Sequence, residues 1–99
     1  MAHRIAVQAR ADLDEIWAYI ARESGSEAIA DRLIDSIINR FYLLASHPHL
    51  GRARDDDLGR SRRSFPVGDY LIVYRVVGVD VHILRVVHSR RNLPALFNR

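Results

Sequence analysis

The chain has 99 residues, no cysteine and a formal net charge of +3. That length suffices for one hydrophobic core and leaves no room for a second, so a single domain over residues 1–99 is expected. Lack of cysteine excludes disulfides, a thiolate nucleophile and a sulfur-ligated metal. No stretch approaches the roughly 18 apolar residues of a membrane span, so a cytoplasmic protein without a membrane partner is the expectation.

Charge is distributed unevenly. Residues 1–49 hold five Arg against seven acids, residues 50–99 hold ten Arg against five, and no basic residue is Lys. Every positive site is therefore a planar fork suited to phosphate or carboxylate, although codon usage in a GC-rich genome would produce the same bias. The chain reads as an acidic half followed by a basic half.

Residues 4–8 alternate around Ile5 and Val7 and predict a first strand. From Asp12 the apolar positions Leu13, Ile16, Trp17 and Ile20 recur at helical spacing, with Trp17 expected in the core. Gly25 ends this helix, and Ser24 with Glu27 can form a capping box for a second one, over residues 27–45. Its stripe of Ala30, Leu33, Ile34, Ile37, Ile38, Phe41, Leu44 and Ala45 is wide enough to cover a sheet and touch the first helix. Asp31 and Asp35 oppose each other at i, i+4, a repulsion that Arg32 or a basic partner could relieve.

Pro48 stops the second helix, and residues 47–59 form the longest loop. A strand begins at residues 62–65, Pro66, Val67, Gly68 and Asp69 turn, and residues 70–77 are apolar enough for a central strand. Gly78, Val79 and Asp80 turn into the last strand, residues 81–87. The order β-α-α-β-β-β predicts an α+β domain, a helical hairpin packed on a small, mainly antiparallel sheet.

Chemistry-bearing residues concentrate at the C-terminal end. After Asp80 no acid remains, while Arg85, Arg90, Arg91 and Arg99 do, so this end should meet something anionic or rich in acceptors. Arg60, Arg62, Arg63, Arg90 and Arg91 could together attract phosphate or an acidic peptide. His88, at the end of an apolar strand and beside Arg90 and Arg91, could act as a general acid or base, or simply meet solvent. Arg75 and Arg85 lie in strands that otherwise read as core and must reach an edge, an acid or a partner; the register that decides whether they share a face is open. Asp55, Asp56 and Asp57 are consecutive and do not converge, and His3, His47, His49, His82 and His88 have no paired ligand spacing, so no metal site and no cofactor are expected. Residues after Val87 follow the last apolar strand, so truncation there, or Arg91→Ala, should reduce activity more than folding.

Several segments carry a resemblance: residues 11–20 in the first helix, Leu44, Pro48, Gly51 and Arg52 after the second, then residues 70–75, and Val86, Val87, His88, Ser89, Arg90 and Arg91. In order and spacing these resemble the RelE/ParE superfamily of toxins from type II toxin-antitoxin systems, the ParE or plasmid-stabilisation branch in particular. The resemblance implies the same β-α-α-β-β-β fold. It also implies a growth-arresting toxin, with two activities open: ParE-like members are taken to inhibit DNA gyrase, whereas RelE-like members cut messenger RNA on the ribosome.

RNA cleavage through the 2′-hydroxyl needs a base, cationic stabilisation of the phosphorane and an acid. The position where RelE-like nucleases commonly hold a catalytic Arg is Leu71 here, and the C-terminal aromatic is Phe97. His88, Arg91 and Arg75 remain as weak catalytic candidates. For target or antitoxin binding, Arg60, Arg62, Arg63, Arg85, His88, Arg90 and Arg91 are the expected residues. The resemblance further implies a cognate ParD-like antitoxin that docks on the helical hairpin and extends toward the basic end, operator DNA being contacted only through it. A chain that has lost toxicity and survives as an antitoxin-binding module is the third reading.

Overall fold

A computed structural model describes residues 2–97; Arg99, part of the basic ending, lies outside them. The elements are β1 His3–Ile5, α1 Val7–Ser24, α2 Glu27–Ser46, β2 Arg52–Ala53, β3 Arg62–Val67, β4 Tyr70–Val77, β5 Asp80–His88 and α3 Leu93–Phe97. Five strands form one sheet in the order β1-β5-β4-β3-β2. β1 runs parallel to β5 and the other pairings are antiparallel. The expected α+β arrangement holds, with two helices on a mostly antiparallel sheet.

β4, the most apolar segment, lies between β5 and β3 as its composition predicts. One face of the sheet carries Tyr70, Ile72, Tyr74, Val81, Ile83 and Val86 against Leu13, Ile16, Ile37, Phe41 and Leu44 of the helices. The other face carries a smaller cluster in which Val73 and Val87 meet Leu58 of the loop and Leu93 of α3. At 25 cal/mol per Å² of apolar burial, the helix-covered face supplies most of the hydrophobic stabilisation.

Local departures from expectation have physical causes. β1 is His3–Ile5 and α1 starts at Val7, so the expected strand over residues 4–8 is too long. Pairing with β5 stops at Ile5, and the alanine-rich segment that follows is a strong helix former, with Ala9 fully buried. The cap of α2 is Ser26, whose Oγ accepts from the Ile29 N–H at 3.2 Å; Ser24 instead turns its Oγ back to the Ile20 carbonyl at 2.6 Å. Trp17 is half-buried and donates its indole N–H to Asp31 at 2.8 Å, which gives Asp31 a partner despite the nearby Asp35.

The 47–59 connection is interrupted by β2, which pairs with Arg63 and Ser64. β3 extends through Pro66 to Val67, leaving only Gly68 and Asp69 in the turn, where Gly68 takes φ 56°. Gly51 is enclosed more tightly: a Cβ there would lie 2.5 Å from the Tyr74 hydroxyl, which accepts from the Gly51 N–H and donates to the Pro48 carbonyl, each at 2.8 Å. That close approach needs glycine and ties the long loop to the central strand. No helix among the described residues is long and apolar enough to cross a membrane.

Candidate functional site

The register left open by the sequence is decided by a β-bulge. Val73 pairs with Arg85 but Tyr74 pairs with Ile83, so Leu84 is an extra residue on β5. Without it, the alternation that buries Val81 and Ile83 would send Arg85 and Val87 to the helix-covered face. With it, Val86 goes there, Val87 joins the opposite cluster, and His88 follows Val86 to the helix side.

Arg85 then meets α1 where β1 has ended. Asp12, only 8% exposed, accepts Arg85 Nε at 2.8 Å, Arg85 Nη2 at 3.0 Å and the Val86 N–H at 2.9 Å. Its carboxylate occupies the β5 edge that β1 leaves uncovered, and donation to Asp12 holds the Arg85 guanidinium above the ordinary arginine range. Arg85, expected to bind a target or antitoxin, is therefore committed to an internal ion pair, because an unpaired cation in this strand would be too costly.

Beyond that pair the helix and the strand ends part. They leave a cavity of about 240 Å³ lined by Asp12, Glu15, Ile16, Tyr19, Tyr70, Val86, Val87, His88 and Arg91. Ile16 and Val86 form an apolar floor, and Tyr19 is half exposed on the rim. The His88 ring stands edge-on to Tyr70, with centroids 5.4 Å apart at 73°. His88 Nδ1 accepts from the Arg90 N–H at 3.1 Å, its carbonyl accepts from the Arg91 N–H at 3.0 Å, and Ser89 N–H reaches the Asp69 carbonyl at 2.8 Å. The basic ending therefore leaves the sheet as a fixed turn, with Arg90 and Arg91 exposed. Burial pushes the Tyr70 phenol up, with Tyr19 and Asp69 adding to it.

Of the candidates, the structure brings His88 and Arg91 together in this groove. Arg75 is exposed elsewhere, opposite Arg62 on β3 and His82 on β5. Five residue steps along β4 separate its rung from the Tyr70–His88 rung, about 17 Å at the usual rise. The expected joint patch of Arg60, Arg62, Arg63, Arg90 and Arg91 is thus divided between the two ends of the sheet. Arg62 donates Nη1 to the Leu58 carbonyl at 2.6 Å and lies over the Phe97 ring, 5.0 Å from its centroid. Arg63 lines a separate cavity with His49, Asp55 and Ser61, and Arg60 is exposed in the loop.

Asp57 pairs with Arg54 and Asp55 accepts the Ser61 N–H at 3.0 Å. No group of three His, Cys, Asp or Glu among the described residues is placed to hold a metal.

Sequence reasoning missed Asp12, Glu15, Tyr19 and Tyr70. The spacing of Asp12, Ile16 and Tyr19 at i, i+4, i+7 puts them on one stripe and was the available signal. It also missed α3: Leu93 is buried against Val73 and Val87, so the residues after Val87 belong partly to the fold, and truncation there removes core as well as tail.

Similarity to known proteins can be set on this geometry. Residues 4–93 match the sequence model of a family described as the ParE toxin of the type II toxin-antitoxin system parDE. Toxin ParE1 of Caulobacter vibrioides is 37% identical over 94% of this chain and 94% of its own length. Toxins ParE3 and RelE3 of the same organism are 36% identical over 85% of the chain and 82% of their counterpart, and 35% over 83% and 87%, respectively. A solved chain from the chromosomal ParDE toxin-antitoxin system of P. aeruginosa superposes with a TM-score of 0.77 at 22% identity, covering 89% of this chain and 95% of that one, a likeness of fold. Because the family match takes in α1, α2 and every strand of the sheet, the chain belongs to the ParE family of toxins from type II toxin-antitoxin systems.

Proposed function

We propose that this toxin arrests bacterial growth by acting on DNA gyrase, gripping it with the groove and turn at the Tyr70–His88 end, and that a cognate ParD-like antitoxin neutralises it by covering the same region. One observation carries the reading: the groove combines tyrosines and an arginine on its walls with an apolar floor. Tyr and Arg around a desolvated apolar centre are the composition of protein-binding hot spots. The antitoxin reading is supported by exposed Val7, Tyr19, Ile29, Tyr42 and Leu43 on the helical hairpin, apolar side chains that a partner helix would bury.

A second reading, ribosome-dependent cleavage of messenger RNA, draws on the gathering of His88, Glu15 and Arg91 in one groove. It is the weaker one. Leu71 packs into the apolar cluster with Leu58 and Val73, and Phe97 lies under Arg62.

A supercoiling assay with purified gyrase separates the two. Inhibition at toxin excess is the expected result, and intact supercoiling together with codon-phased cuts in cellular messenger RNA after induction would replace the first reading by the second.

A further inference from the structure

The sheet face opposite the helices carries an arrangement that the groove does not use. Arg4 on β1 is the register partner of His82 on β5, His82 of Arg75 on β4, and Arg75 of Arg62 on β3. Four adjacent strands therefore present a basic side chain on one rung. Strand alternation puts all four on the same side. Their neighbours His3 and Ile5, Val81 and Ile83, and Tyr74 and Val76 face α1 and α2 or the core beneath them. At the usual strand spacing the row spans about 14 Å.

No carboxylate among the described residues bonds to any of the four; the two ion pairs are Arg54 with Asp57 and Arg85 with Asp12. Asp80, two residues before His82 on that face, accepts the Ala2 N–H at 3.3 Å. Like charges directly opposite one another weaken a sheet. The fold therefore bears a cost here that an external anion would relieve. Arg4 and Arg75 are exposed, and Arg62 contributes its charge while one Nη holds the Leu58 carbonyl.

We propose that this row is a docking surface for the phosphodiester backbone of duplex DNA, bound through charge and without reading sequence. The exposed forks of Arg4 and Arg75, with the charge of Arg62 beside them, match phosphate oxygens. Arg4, His82 and Arg75 have no Tyr, Trp or Phe on the same rung, and the ring beside the row, Phe97, is covered by Arg62, so the row lacks the free stacking platform that single strands use. It also lies on a sheet face and not along a free edge or an apolar groove, the places where extended and helical peptides dock. The surface is independent of the groove and stands whichever target the groove grips.

The test is the binding of a short fluorescent DNA duplex to the purified full chain, followed by anisotropy over a salt series. The expected log–log salt slope is about −3 for about three neutralised phosphates. Arg4→Ala with Arg75→Ala should reduce its magnitude by about 2, whereas removing the same charge from the helices with Arg22→Ala and Arg32→Ala should leave it nearly unchanged. Arg75→Glu, which gains Arg62 as a cross-strand partner, should fold with an equal or higher melting temperature and bind at least about tenfold more weakly, since each lost phosphate contact reads out through the same slope. Equal losses from the helix and row variants, a lowered melting temperature in Arg75→Glu, or stronger competition by single-stranded DNA or polyglutamate than by unlabelled duplex would each overturn the proposal.

Discussion

The two faces of this sheet share the same strands and have different fates. Under α1 and α2, Ile37, Phe41, Leu44, Ile72, Tyr74 and Ile83 are fully buried and the register has no freedom. On the opposite face a short cluster around Val73 and Leu93 closes one end, and the other end is left to Arg4, His82, Arg75 and Arg62. The difference teaches where sequence can vary without loss of fold. The covered face is committed to packing, whereas the open face tolerates charge that packing would forbid, and the groove forms where the covered face runs out beyond Ile16 and Val86.

Substitution tests the asymmetry directly. Phe41→Ala should cost about 3–5 kcal/mol and Leu93→Ala about 2 kcal/mol by denaturant unfolding, since the smaller cluster can collapse onto the gap. Equal costs would remove the distinction between the faces.

The Asp12–Arg85 pair joins the faces at the sheet edge, and Asp12→Ala should cost about 3 kcal/mol by leaving a partly buried guanidinium unpaired. Adding Arg85→Ala should recover part of that loss, and strictly additive costs would show that the two side chains do not act as a pair. Trp17→Phe removes the hydrogen bond to Asp31 and trims a half-buried ring, so about 1–2 kcal/mol is expected; a cost as large as that of Phe41→Ala would place the indole in the core after all.

The smallest effect is a pH dependence. Burial lowers the His3 pKa below its usual 6.5, where the ring packs on Phe41 and Tyr42. The folded state then favours the neutral ring. Its contribution is complete above the unfolded pKa and is lost as pH falls through 6.5 toward the folded value, the unfolded chain taking up the proton first. His3→Phe should flatten that part of the stability profile below pH 6.5, and an unchanged profile would rule the ring out as its source.

Most of the fold could be read from periodicity, because the stripes of α1 and α2 and the apolar run of β4 each point to one burial pattern. The open face was harder to read. Arg75 and Arg85 look alike in sequence, and the bulge at Leu84 puts both on the open face, where Arg85 reaches Asp12 past the end of β1 and Arg75 stands in a row of basic side chains. A bulge adds one residue without changing composition, so hydrophobic alternation alone does not locate it. α3 escaped notice because five residues are too few for a helical period to register, although Leu93 completes a core. Of the site, His88 and Arg91 were legible as a polar ending on an apolar strand, while Glu15 and Tyr19 required knowing which turn of α1 faces that ending.

The central claim is that arginines held inside the fold and arginines presented at the groove have separate work. Its most direct test is the toxin concentration that half-inhibits gyrase supercoiling, measured for the wild-type chain and for Arg91→Ala with both melting temperatures recorded. The account predicts at least about tenfold weaker inhibition, in keeping with an interface hot spot of about 1.4 kcal/mol or more, at an unchanged melting temperature. Undiminished inhibition by the folded variant would contradict it.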